Sequence, residues 1–125
     1  MTQASAAVAT KNGGAKTTGP AEEMLTLLVV DDEEGPRQSL RIVFKHDYKV
    51  LVASSGLEAL EIARFHPVHI AILDIMMNGM SGVELLKELK EFDPAVEVVM
   101  LTAYETLDTA RHALRCGASD YLNKP

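Results

Sequence analysis

Leu25-Thr26-Leu27-Leu28-Val29-Val30-Asp31-Asp32-Glu33-Glu34 is an almost unbroken apolar run that ends in four carboxylates. A strand with one wet face would alternate apolar and polar residues. This one does not, so it reads as a strand buried on both faces, as in a parallel sheet. Working outward, His69–Leu73 and Val96–Leu101 have the same character, while Lys49–Ala53 and the weaker Ser119–Leu122 complete a set of strand candidates. The residues to inspect for chemistry are those just after each run, because ligands in open parallel sheets bind outside the carboxyl ends of the strands.

Helical patterns lie between the strands. Pro36 falls in the first turn of one, where its missing N–H costs little, and Leu40, Val43 and Phe44 follow as an apolar stripe. Ser55-Gly-Leu-Glu58 and Ser81-Gly-Val-Glu84 read as capping boxes, each followed by helical apolar spacing: Leu57 and Leu60, then Leu86 and Leu89. Leu107, Ala110 and Leu114 mark a fourth helix, closed by Gly117 in left-handed backbone. Strand–helix units closed by a last strand imply an α/β fold: a single open parallel five-stranded sheet with helices on both faces.

The 125 residues suit one domain, and 47% of them are hydrophobic, enough for one core. From Met1 to Glu23 the chain is mostly Ala, Thr, Gly, Ser and Lys, which reads as a disordered tail or linker (1–23) before a domain at 24–125. A net charge of −6 argues against a nucleic-acid surface. Three Tyr, three Phe and no Trp leave little aromatic surface for stacking bases. The single Cys116 excludes an internal disulfide, and no apolar run reaches the roughly 20 residues a membrane span needs. Residues 6–9 are too short for the core of a signal peptide. A cytoplasmic protein is expected.

Asp31 and Asp32, then Asp74, then Thr102, then Lys124 follow successive strands, so three carboxylates, a hydroxyl and an ammonium converge on one edge. Such carboxylates repel unless a cation sits among them, and hard oxygen ligands suit Mg²⁺. A carboxylate can act as the nucleophile that forms an aspartyl phosphate. Thr102 and Lys124 are placed to hydrogen-bond and neutralise phosphoryl oxygens.

The stretches Leu27–Glu34, Leu73-Asp74-Ile-Met-Met-Asn78-Gly79-Met80-Ser81-Gly82, Met100-Leu101-Thr102-Ala103-Tyr104 and Gly117–Pro125 resemble the signatures of response regulator receiver domains in two-component signalling. The resemblance covers residues 25 to 125 and implies a flavodoxin-like fold of strand order 2-1-3-4-5. It implies Asp74 as phosphoacceptor, Asp31 and Asp32 as the acidic pair that with Asp74 and the Met76 backbone carbonyl holds Mg²⁺, Thr102 and Tyr121 as a switch pair, and Lys124 as the phosphate-pairing lysine. A sensor histidine kinase would be the donor, and an output domain or downstream protein would read the fourth-helix and fifth-strand face. Met76 and Tyr104, two residues past Asp74 and Thr102, would flank the hydrolytic water and slow self-dephosphorylation. No turnover on external substrates is expected.

The chain departs from the family in two places. Asn78 stands where the family most often has Pro; Asn tolerates left-handed backbone, so the loop is expected to survive. The family continues past Lys-Pro into a fifth helix, whereas this sequence stops at Pro125. The first and third strands are then expected to bare an apolar face: the favoured expectation is a fragment of a longer protein, truncated before its last helix, and the alternative is a cover supplied by a homodimer contact, a swapped element or the N-terminal tail.

Blander readings exist for each residue taken singly. Asp31 to Glu34 can be dipole and capping chemistry at a helix start, Asp74 a turn residue, Thr102 a cap, Tyr121 a half-buried aromatic, and Cys116 a small buried residue. The four His are scattered without zinc-ligand spacing. It is their register together that favours the phosphoacceptor. An aspartyl phosphatase would need a second Asp where Met76 stands, and a flavin or nucleotide module would not put four acids after its first strand. A degenerate receiver, acting only as an interaction module without phosphorylation, usually lacks one of the residues present here.

Overall fold

The computed structural model describes residues 24–103 and 107–124. Five strands, β1 (Thr26–Val30), β2 (Lys49–Ala53), β3 (Ile70–Asp74), β4 (Glu97–Thr102) and β5 (Asp120–Asn123), alternate with four helices. These are α1 (Glu34–Phe44), α2 (Gly56–Phe65), α3 (Gly82–Phe92) and α4 (Leu107–Arg115). The sheet is parallel throughout, in the order β2-β1-β3-β4-β5. The expected architecture and strand order therefore hold, with β2 at its expected bounds and the ends of the other strands moved by at most one residue.

Period-two alternation sorts the central strands between two cores. Leu28, Val30, Ala71, Leu73, Val98 and Met100 pack with Ala59 and Ala63 of α2, Leu85, Leu86 and Leu89 of α3, and Ala113 of α4. On the other face Leu27, Val29, Ile70, Ile72, Val99 and Leu101 form a second cluster, against which Leu40 and Phe44 of α1 pack. Ile70, Ile72, Val99 and Leu101 are at most 6% exposed. That apolar face is thus buried. Leaving it in water would cost roughly 25 cal/mol for each Å².

Several helix stripes differ from expectation. Val43 is exposed while Phe44 packs inward; neighbouring helical residues diverge by about 100° and cannot share a face. In α2 the buried set is Gly56, Ala59 and Ala63, and Leu57 is exposed. In α4 Ala110 and Ala113 are buried and Leu114 is exposed. Small residues face the sheet there, letting the helices lie close.

Ser81 and Glu84 make the full reciprocal capping box. Ser55 caps α2 by accepting from the Glu58 N–H at 3.1 Å, but the Glu58 carboxylate turns to Ser54, accepting from its N–H at 2.6 Å and its hydroxyl at 2.9 Å. These two bonds hold the Glu58 carboxyl below its ordinary value. After α4, Gly117 takes the expected positive φ, 112°. The Gly117 N–H donates to the Leu114 carbonyl and the Ala118 N–H to the Ala113 carbonyl, the pattern of a Schellman end. Cys116, at that end, is only partly buried, because the chain leaves the helix there.

Register fixes the functional edge. Val30 is level with Ala53 and Leu73, Asp74 with Leu101, and Thr102 with Asn123. Asp31, Asp74, Thr102 and Lys124 therefore leave the sheet side by side.

Candidate phosphoacceptor site

Asp31 is fully buried where β1 ends. Its Oδ1 accepts from the Glu33 N–H at 2.9 Å, an Asx-type contact that starts the turn into α1. The Arg37 guanidinium donates to the Asp31 carbonyl at 2.7 Å and closes that turn from the other side. Asp31 Oδ2 is enclosed and receives no well-directed hydrogen bond; it is in ion-pair contact with Lys124 Nζ at 2.8 Å.

Asp74, at the end of β3, is 2% exposed. Its Oδ2 lies 3.2 Å from Lys124 Nζ, and its Oδ1 accepts from the Met76 N–H at 3.3 Å. Burial, and then the Asp31 charge, raise the Asp74 carboxyl above its ordinary value, while Lys124 and the Met76 N–H act in the opposite direction. For Lys124, burial works against the ammonium. Its close contacts with Asp31 and Asp74 and their charges outweigh burial and hold it above the usual lysine range. Glu33 adds a third carboxylate to this ammonium at 3.4 Å.

Asp32 is half-buried, and its Oδ2 accepts from the Asn78 N–H at 3.1 Å, across the mouth of the site. Asn78 does not take left-handed backbone: Gly79 does, at φ 78°, and among the described residues no non-glycine has positive φ. The loop survives as expected, by a different residue.

Asp31, Asp32 and Asp74 each offer an oxygen, and these atoms lie within 4.8 Å of one another. Three hard oxygen donors, two of them on the buried Asp31 and Asp74, fit a divalent cation such as Mg²⁺. Thr102 is buried one residue past the position paired with Asp74, and its carbonyl accepts from the Lys124 N–H at 2.7 Å. Tyr121, level with Met100 on β5, is half-buried and packs against the α2–α3 core. Met76 has its side chain in solvent, 66% exposed. The expectation placed on Tyr104 lies outside the described residues, as does the tail at 1–23.

Sequence reasoning brought together Asp31, Asp32, Asp74 and Lys124, and the fold does the same. It missed Arg37, Glu33 and the Asn78 amide, because a backbone donor and a side chain one turn into a helix leave no motif. It also missed why residue 82 is Gly. A Cβ there would lie 2.8 Å from the Asp74 carbonyl carbon and from Ile75 Cα. Only a residue without one lets α3 start against the acceptor's backbone.

Among the described residues no helix is long and apolar enough to cross a membrane. The chain is 42% identical over 104 residues to the transcriptional regulatory protein ZraR of Klebsiella oxytoca, covering 82% of this chain and 24% of that protein. It thus spans about a quarter of that relative's length. Its fold is similar to a CheY-like receiver domain of Methanospirillum hungatei (TM-score 0.78, 28% identity, 82% of each chain covered). It is also similar to a response regulator of Burkholderia pseudomallei solved with a phosphorylated aspartic acid, calcium ion and citrate. That likeness has a TM-score of 0.75 at 30% identity and covers 81% of this chain and 60% of that one. The model of the response regulator receiver domain matches residues 27–125, so the chain belongs to the receiver-domain family of two-component response regulators.

Proposed function

We propose that this receiver accepts a phosphoryl group on Asp74, in the presence of Mg²⁺, from a phosphorylated histidine of a sensor kinase or from a small acyl phosphate. The observation that carries the reading is the convergence of Asp31, Asp32 and Asp74 within 4.8 Å of one another, with the Lys124 ammonium 3.2 Å from the acceptor carboxylate. An Asp74 carboxylate oxygen forms a bond to phosphorus as the donor's P–N or P–O bond breaks, and the electron pair leaves with the donor. Lys124 exchanges part of its ion pair with Asp74 for the incoming phosphoryl oxygens. Thr102, beside Asp74 in the sheet, donates its hydroxyl to another. Asp31, Asp32, Asp74 and the Met76 carbonyl would hold Mg²⁺, which supplies charge neutralisation at the transferring group. The phosphorylated aspartate and calcium ion in the Burkholderia relative support the same chemistry here.

The bound phosphoryl group then shifts an existing conformational equilibrium, because it contacts Thr102 better in one state than the other. Tyr121 follows, and the α4–β5 face carries the change to an output domain or partner protein. The protein acts as a cytoplasmic phosphorelay switch and turns over no external substrate. Adding beryllofluoride with Mg²⁺ and recording backbone amide shifts tests this. Shifts reaching α4 and β5 support it, and shifts confined to the Asp74 loop overturn the switch.

A further inference from the structure

We propose that Glu33 slows phosphoryl acceptance at Asp74 by competing with the incoming phosphoryl oxygens for the Lys124 ammonium. The inference rests on the phosphoacceptor reading above and adds to it a carboxylate that lies outside the metal-binding set.

Glu33 stands at the N-cap of α1, the position from which a side chain usually accepts from the helix's first N–H groups. It makes no such bond. Its Oε1 instead lies 3.4 Å from Lys124 Nζ, 91 positions away in the chain. The backbone prepares that reach: the Glu33 N–H donates to Asp31 Oδ1 at 2.9 Å, which holds residue 33 at the rim of the acidic pocket.

Among the described residues Lys124 faces three carboxylates, and they differ in kind. Asp31 and Asp74 are buried and belong to the group that can hold a cation. The Glu33 side chain is 69% exposed and does not belong to it. As an Asp74 oxygen bonds phosphorus and the donor's leaving group departs with its electron pair, negatively charged phosphoryl oxygens arrive beside Lys124. Glu33 opposes them in two ways. It takes up one of the ammonium's three donors, and it is a like charge close by. Its exposure screens that charge, so the effect is small beside that of the buried acids.

The test follows phosphorylation by acetyl phosphate with Mg²⁺, read by intact mass over time, in the wild type, Glu33→Gln and Glu34→Gln. Glu34→Gln is the control. It removes the same charge one residue on, and Glu34 has no ion pair with Lys124 among the described residues. Glu33→Gln is expected to be phosphorylated about threefold faster than the wild type at low salt, within the range an exposed ion pair is worth. The advantage should shrink at high ionic strength, and Glu34→Gln should stay near the wild-type rate. A second readout needs no transfer: beryllofluoride, titrated with Mg²⁺ and followed by backbone amide shifts, should bind about threefold more tightly to Glu33→Gln. Equal rates in Glu33→Gln and the wild type, an equal gain in Glu34→Gln, or unchanged beryllofluoride affinity overturns the proposal. A wild type that gains no phosphoryl group overturns the phosphoacceptor reading itself, which separates the two failures.

Discussion

Lys124 Nζ sits closer to Asp31 Oδ2, at 2.8 Å, than to Asp74 Oδ2, at 3.2 Å. One nearly buried ammonium thus separates two buried carboxylates. Removing a single partner from a buried charge cluster leaves charge without compensation, which is costlier than losing an exposed pair. Lys124→Met is predicted to destabilise the fold by about 3 kcal/mol. Mg²⁺ should restore more stability to the variant than it adds to the wild type, since a cation can take the ammonium's place between the acids. Thermal melts of both proteins with and without Mg²⁺ check this.

Gly82→Ala should be disruptive for a local reason. The new Cβ would lie 2.8 Å from Ile75 Cα and from the Asp74 carbonyl carbon, so β3 or α3 must move. Overpacking of this kind costs about 1–3 kcal/mol, and here it displaces the acceptor. Gly35→Ala is the control, because no atom beyond its chain neighbours and its own helix backbone lies within 4 Å of its Cβ position. Urea melts and Mg²⁺ affinity measured on both variants should show a loss only at residue 82.

Tyr48 gives a prediction at alkaline pH. It is buried beside Phe44, their rings 5.8 Å apart and edge to face. Burial, with the Asp47 charge adding to it, pushes the phenol up to about 12. The folded state holds this proton more tightly than the unfolded state. Its contribution is therefore fully present below about pH 10, the free phenol value, and is lost as pH rises toward about 12. Urea melts between those limits should show stability falling more steeply in the wild type than in Tyr48→Phe. Parallel curves would contradict the assignment.

The strands were legible because β1, β3 and β4 are buried on both faces and read as continuous apolar runs. Helix positions were legible from Pro36, Ser55, Ser81 and Gly117, residues that act locally at helix ends. Which face each helix buries was less so. Leu57 and Val43 look like core residues, but Ala59, Ala63 and Phe44 take the inward positions. The depth of the helix against the sheet decides that choice, and it depends on the rest of the fold. The acidic site was legible because its members follow strand ends. The Asn78 amide, Arg37 and the Gly82 approach were not, since each depends on two loops meeting in space.

Phosphorylation of Asp74 is read directly by intact mass. The purified chain is incubated with acetyl phosphate and Mg²⁺ and weighed beside Asp74→Asn and a sample with the metal chelated. One added phosphoryl group is expected in the wild type and none in either control. An adduct that persists in Asp74→Asn, or a wild type that gains no mass in the presence of donor and Mg²⁺, would contradict the assignment of Asp74.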